Sequence, residues 1–378
     1  MSEFAVSALC LDNVIEHPNA ERLELAIVGG YQSCVPKGKF IKGQLVIYIP
    51  EAAVLPDELM EVEGLVGLLK GPKKNRVKAI KLRGILSQGI VIDAEPYLPY
   101  EVYMGVMESG NADDISDMSE KLGITKYEPH IPNHMGGSAK QGAMFGWTKG
   151  YDFENIKKHP NMLRDDDYVF LTEKLHGTYI QIGWCRDLEP SEDRFGDGRV
   201  FVTSKGLAKR GVVIVNDPAN ETNLYVKAAQ VNGLFDKIVK LAENVEADRI
   251  YIMGEVFGCV QDLHYGMKDG EVQMNIFDCY GQDEDGKGEY APTEVLSDIA
   301  DSLGVKMVPI IAQGEWGDIQ PRLEEYTRGM STFDPKQIRE GVVIRTRDER
   351  IDPRYGRVIV KSVSEDYLLR KGEVSEFA

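Results

Sequence analysis

Val169-Phe170-Leu171-Thr172-Glu173-Lys174-Leu175-His176-Gly177-Thr178-Tyr179-Ile180 sets two apolar runs on either side of a short polar turn that contains a glycine. The runs have the length and composition of strands, and the glycine marks the turn between them. Lys174 is thereby predicted to end one strand and project into whatever the sheet encloses. Lysine is rarely buried unless it is paired or used. Its amine is a poor nucleophile while protonated, with an ordinary pKa of about 10.4. Burial and neighbouring cations can depress that value and make the group reactive. Taken alone, such a lysine is more often a plain turn-edge side chain than a catalytic one.

Further polar signatures interrupt apolar strands in order along the chain. They are Val202-Thr203-Ser204-Lys205-Gly206, Tyr251-Ile252-Met253-Gly254-Glu255-Val256-Phe257-Gly258, Asn275-Ile276-Phe277-Asp278, Arg339-Glu340-Gly341-Val342-Val343-Ile344-Arg345 and Val358-Ile359-Val360-Lys361-Ser362. Each places a charge or an aromatic at the edge of a β-run. Asn220 to Asn244 carries Leu224, Ala228, Val231, Phe235, Ile238 and Ala242 at helical spacing, which predicts one amphipathic helix with these residues in the core. Thr293 to Leu303 reads as a second helix, capped by Thr293 and stopped by Gly304.

The first hundred residues read differently. Phe4 to Leu9 and Leu45 to Ile49 are rich in strand formers, and Gly29-Gly30, Pro36-Lys37-Gly38 and Lys42-Gly43 punctuate them. Several short strands with glycine turns suggest a small barrel over residues 1–100. Residues 101–133 are acidic and Gly/Asn/Ser-bearing, ending near Pro129 and Pro132, and read as a linker. Residues 134–378 then form the mixed α/β part. His130 and His134 stand four apart, but Pro132 between them argues against a helical metal pair.

A formal charge of −17 argues against a nucleic-acid partner if charge were evenly spread. It is not. From Gly64 to Ile92 there is no acidic residue, while Lys70, Lys73, Lys74, Arg76, Lys78, Lys81 and Arg83 are all basic. Val77 to Arg83 alternates apolar and basic, as a half-buried strand with a basic outer face would. Either a solvated hairpin or a phosphate-facing surface accounts for this run. No apolar run is long enough to cross a membrane, no secretory signal opens the chain, and the five scattered cysteines lack a C-x-x-C. A cytoplasmic protein with reduced thiols is expected.

The order and wording of the motifs around Lys174, Lys205, Glu255, Phe277, Glu340 and Lys361 resemble the covalent nucleotidyltransferases, which comprise DNA ligases, RNA ligases and mRNA-capping guanylyltransferases. The histidine form of the lysine motif, with Thr172-Glu173 before Lys174 and Thr178 after Gly177, resembles nick-sealing RNA ligases. So does Tyr151 to Lys158 upstream. The segment Ile15 to Ala26, with Tyr31-Gln32, Lys42-Gly43 and Lys74 to Val77, is similar to the RNA ligase 5 family. That resemblance implies an α+β chain: an OB-like β-barrel followed by a nucleotidyltransferase domain of ATP-grasp-like antiparallel sheets and helices.

It also implies the chemistry. Lys174 takes AMP from ATP, AMP passes to an RNA 5′-phosphate, and a 3′-hydroxyl displaces it. By resemblance, Glu340 holds a catalytic Mg²⁺ or Mn²⁺, Lys361 contacts the α-phosphate, Glu255 the ribose and Phe277 the adenine. Lys205 lies beside the ribose, with Glu173, His176, Gly177 and Lys157 as further nucleotide contacts. Many relatives carry a second lysine two positions after the last motif lysine. Here that position is Val363, with Arg357 or Lys205 as sources of the missing charge. Lys209 and Arg210 would meet RNA or pyrophosphate. His176 stands where many relatives have aspartate. Lys73, Lys74, Arg76 and Lys78 are the expected RNA contacts of the barrel. Few aromatics interleave them, which favours duplex backbone over stacked bases.

The expected substrate is RNA, in the form of a nicked duplex, with no membrane and no obligate protein partner. One alternative is a capping-type guanylyltransferase, whose OB domain normally follows the catalytic domain; little chain follows Lys361. The other is a non-catalytic OB-type RNA-binding protein, which would form no covalent AMP adduct.

Overall fold

The computed structural model describes residues 4–127, 146–205, 211–258, 260, 262–268 and 270–370. The N-terminal part is built on Leu45–Ile49, which pairs antiparallel with Ser7–Cys10 on one side and Ile90–Asp93 on the other. All five of its residues are buried because both faces are covered. Leu45, Ile47 and Ile49 pack with Val6, Ala53 and Leu55, while Val46 and Tyr48 pack with Ala26, Val28 and Phe40. The meander Asn13–Glu16, Leu23–Val28, Tyr31–Pro36 closes the second face. The expected barrel is therefore present.

Two features of this half depart from the sequence reading. Residues 100–127 do not link; they pack. Helix Tyr100–Ser109 brings Val106 onto the barrel core, joined there by Met118, Leu122 and Ile124. Thr125–Lys126 then pairs with Ala53–Val54. Their apolar residues fall at no regular period, which hid the burial from a pattern-based reading. The expected linker's last residues and the start of the second domain lie outside the described residues. Val77–Arg83 is likewise not one strand. Val77 bonds Ala52 and Ala53 in the barrel, and Ile80–Leu82 forms a separate hairpin with Ile85–Ser87.

The second domain is two sheets facing each other. One runs in the order Glu154–Asn155, Ile359–Val363, Gly341–Thr346, Tyr168–Lys174, Ile310–Glu315. The other has Thr178–Cys185 between Val200–Ser204 and Arg249–Gly258, continued by Val272–Gln282 and Gly288–Tyr290. Alternation along Thr178–Cys185 sends Ile180, Ile182 and Trp184 to a helical layer and Tyr179 to the opposite face. That opposite face meets Val343 and Ile359 of the first sheet.

The helical layer contains Thr293–Leu303, ended by Gly304 in the left-handed region as expected; its N-cap is Pro292 rather than Thr293, and no side chain caps it. The long helix expected over 220–244 is two, Leu224–Val231 and Leu234–Asn244. Gly233, at φ 62°, turns the chain between them; Leu224, Ala228, Ile238 and Ala242 share one core with Phe235 against it, whereas Val231, expected there, is 66% exposed.

Candidate active site

Strand register builds the centre of the site. Lys174, the last residue of Tyr168–Lys174, sits opposite Gly341. Glu340 immediately precedes Gly341, so pairing alone sets the two charged residues side by side. The Lys174 ammonium donates a hydrogen bond to the Glu340 carboxylate. Glu340 is 3% exposed, whereas the Lys174 side chain keeps 14% exposure toward a cavity between the sheets. Burial alone would raise the Glu340 carboxyl; Lys174 and His176 outweigh it and hold it down near about 2.

Glu255 comes from the other sheet. Its register partner is Tyr179, two residues past Gly177. The Gly177 amide hydrogen-bonds its carboxylate. Burial is the dominant influence on Glu255 and pushes it up to about 8, against the attraction of Lys174 and with the repulsion of Glu340. Two acids flanking one amine are thus driven apart in pKa. Close approach also explains two glycines: a Cβ at Gly177 would lie 2.2 Å from the Val256 carbonyl oxygen, and one at Gly341 2.1 Å from that of Ser362.

The cavity has an aromatic end. Phe277 packs at ring-centroid distances of 5.3 Å from Tyr151 and 6.0 Å from Tyr179, and Val343 and Ile359 also line it. Such a flat apolar slot suits a purine ring. Behind it, Asp278 is fully buried and accepts from Tyr151 (2.8 Å), Arg357 (2.5 Å) and Arg345 (3.4 Å). Basic residues ring the polar end. Lys361, paired in register with Val343, is 2% exposed and lines the cavity; Lys205 lines it too and donates to Asp152 at 3.0 Å.

Lys174, Glu173, Lys205, Glu255, Phe277 and Lys361 all line this cavity, with Glu340 bonded to Lys174. Glu173 lines the cavity without offering its carboxylate to it, and His176 and Lys157 stand outside it. The Glu173 carboxylate turns away to Thr332, accepting from its amide at 2.8 Å and its hydroxyl at 2.5 Å. His176 is buried behind Glu340, with Nδ1 3.7 Å from Glu340 Oε2. Gly177 acts through its backbone amide. Lys157 reaches to the barrel, donating to Gln88 at 2.9 Å, because it follows the edge strand rather than facing between the sheets. Arg357 is paired with Asp278 and Glu349 and is not among the residues lining the cavity, whereas Lys205, paired with Asp152, does line it.

On the barrel, Lys73 and Lys74 are exposed and Lys78 is half-buried. Arg76 is not a surface contact: it is 5% exposed, and its guanidinium lies 3.4 Å from the Tyr127 ring centroid. Lys209, Arg210, His130 and His134 lie outside the described residues.

Asp262, Tyr367, Tyr265 and Arg370 escaped the sequence reading. Tyr367 hydroxyl lies 2.8 Å from His176 Nδ1, and the His176 amide donates to the Tyr265 hydroxyl at 2.7 Å. Asp262, which burial alone would raise, is held well below the usual carboxyl range by His176 and Arg370. No local pattern announces these residues.

Among the described residues no group of three or more His, Cys, Asp and Glu side chains is arranged to hold a metal by itself. Both His176 nitrogens already face partners, so the available donors are Glu340 and Glu255. That set fits a Mg²⁺-like ion, which takes one or two carboxylates and completes its shell with phosphate oxygens and water.

A buried carboxylate bonded to a strand-end lysine, with a second, half-buried carboxylate lining the same cavity beside an aromatic slot and further lysines, has the form of a nucleotidyltransferase site. The RNA ligase family model matches residues 167–363, and an OB-fold domain model matches residues 7–94. The chain belongs to the RNA ligase family. No curated protein matches its sequence significantly. Among solved structures, it resembles a Naegleria gruberi RNA ligase with PPi at 20% identity and TM-score 0.73, covering 97% of this chain and 98% of that one. A variant of that ligase with ATP and Mn matches equally, at 20% identity, TM-score 0.73 and the same coverage. Another, with AMP and Mn, has TM-score 0.71 at 20% identity, again covering 97% and 98%. At this identity the likeness establishes the two-domain fold.

Proposed function

We propose that this chain seals RNA 3′-hydroxyl and 5′-phosphate ends at nicks in duplexes, using ATP through an AMP carried on Lys174. One observation carries the reading: Lys174 is bonded to Glu340 at the mouth of a cavity that holds both an aromatic slot and buried lysine charge.

In the first step the Lys174 amine forms a bond to the α-phosphorus and pyrophosphate leaves. The amine must first lose its proton and its bond to Glu340. In the second, an RNA 5′-phosphate oxygen displaces Lys174 from AMP. In the third, the 3′-hydroxyl attacks that phosphate, its proton leaves and AMP departs. All three are in-line displacements, so positioning and charge neutralisation dominate. Phe277, Tyr151 and Tyr179 would hold the adenine, Glu255 the ribose, and Lys361 and Lys205 the negative charge gathered at phosphorus. Bound at Glu340, with Glu255 near, a divalent cation would withdraw charge from the α-phosphate. Lys73 and Lys74 remain available to duplex backbone.

A cytoplasmic setting is supported by four described cysteines that are all free thiols, and no described helix is long and apolar enough to cross a membrane.

The test is intact mass and peptide mapping after incubation with ATP and Mg²⁺ or Mn²⁺. A single AMP on Lys174 is expected, absent in Lys174→Met. Sealing is then scored on nicked duplexes with RNA or DNA on each side. An unmodified wild-type protein under both metals sinks the proposal.

A further inference from the structure

A cleft of about 740 Å³ separates the barrel from the catalytic domain. It is distinct from the nucleotide cavity, yet Lys361 lines both. The cleft therefore opens onto the residue that stands where phosphate chemistry would occur.

Its walls carry paired rings. On the barrel side Tyr31 and Tyr48 stack at 5.5 Å with planes 11° apart. On the catalytic side His159 and Tyr355 lie 4.2 Å apart, and Tyr355 is 45% exposed. Cations sit between them: Lys126, Lys158 and Arg354 line the cleft with Lys361, against the acids Glu51 and Asp113. Lys158 keeps a part-exposed ion pair with Glu154 at 3.2 Å, which a phosphate could replace at little cost. Local positive excess in a chain of charge −17 attracts polyanions to this place rather than to the surface at large. Tyr355 is exposed and Tyr31 and His159 are half-buried; such rings beside cations are what nucleic-acid strands bind, since bases stack and phosphates meet charge.

We infer that this cleft seats the RNA strand that ends in the 5′-phosphate. Bases lie against Tyr31 and the His159–Tyr355 pair, backbone phosphates run along Lys158 and Arg354, and the terminal phosphate faces Lys361. The inference rests on the ligase reading. It moves the principal RNA contact from the Lys70 to Arg83 run, where aromatics are few, to a surface that has them. Lys73 and Lys74 do not line the cleft.

The full chain is mixed with a nicked RNA duplex that carries a photo-crosslinking thiouridine at the 5′-phosphate nucleotide, and adducts are mapped by mass spectrometry. Crosslinks at Tyr31, His159 or Tyr355 are expected. A map lacking all three, for instance one confined to Lys70 to Arg83, overturns the inference. As a second measurement, the surface variant Arg354→Glu/Tyr355→Ala is expected to bind nicked RNA about tenfold more weakly, with a shallower salt dependence. Binding within about twofold of wild type overturns it equally. A wild-type chain that forms no adduct on Lys174 would instead defeat the ligase reading itself, so the two failures are distinguishable.

Discussion

His176 Nε2 lies 2.7 Å from Asp262 Oδ1, and Arg370 grips the same carboxylate with two hydrogen bonds of 3.0 Å each. The ring faces Asp262 through Nε2 and the Tyr367 hydroxyl through Nδ1. A chain of contacts then runs from Arg370, whose side chain is 7% exposed, through Asp262 and His176 to Glu340 and Lys174. Histidine here does not copy an aspartate; it is an imidazole held at both edges and set against the carboxylate that bonds Lys174.

Replacing Asp262 tests that brace. Asp262→Asn removes a charge-assisted hydrogen bond worth on the order of 2 kcal/mol. The rate of lysyl-AMP formation is expected to fall at least about tenfold, with KM for ATP little changed, since Asp262 does not line the cavity. Single-turnover adenylylation measures both. A rise in KM at constant rate would place Asp262 in nucleotide binding instead.

Glu255 gives the site a pH signature. Its folded value of about 8 stands above the ordinary 4.5, so between those limits the folded chain holds a proton that the unfolded chain has lost. Its contribution therefore favours folding less and less as pH rises from about 4.5 to about 8, and levels off beyond. Glu340 has the opposite sign: its stabilisation is complete above about 4.5 and is lost as pH falls toward about 2. Urea unfolding without nucleotide or metal, compared between about pH 5.5 and 8, should show a decline that Glu255→Gln flattens. Parallel profiles for the two proteins would contradict this.

Gly341→Ala should damage both stability and chemistry. The added methyl meets the Ser362 carbonyl oxygen at 2.1 Å, a backbone atom that cannot rotate away. Separating those strands costs about 2 kcal/mol or more and shifts the residue paired with Lys174. The urea midpoint should drop and the AMP adduct should diminish together. An unchanged midpoint would show that the sheet absorbs the methyl.

Asp278→Asn leaves two arginines around a buried, uncharged amide. Breaking such a buried pair costs about 3–5 kcal/mol. Thermal unfolding should fall by several degrees, and Glu349, the other partner of Arg357, should not compensate because it is not placed between Arg345 and Tyr151. A melting temperature equal to wild type would mean the arginines find other acceptors.

How much of this was legible beforehand varies by residue. Lys174, Glu255, Phe277, Glu340 and Lys361 each interrupt an apolar strand, and period-two burial puts such an interruption either in solvent or in an enclosed cavity. Their order matched a known family, so they could be named before any coordinates. The barrel was visible in its glycine-separated strands. The packed stretch 100–127 was not, because Val106, Met118, Leu122 and Ile124 keep no period. Arg76 looked like one more surface cation until Tyr127 covered it.

By itself, the sequence determined the family and the strands that carry Lys174, Glu255, Phe277, Glu340 and Lys361, since those depend on local alternation and on residues a few positions apart. Tertiary structure alone decided what surrounds Lys174. His176 meets Asp262 across 86 residues and Tyr367 across 191, and Lys361 joins the nucleotide cavity to the interdomain cleft. Such contacts are set by the register between strands and the docking of two domains, and no periodicity in the chain encodes which distant side chains that docking brings together.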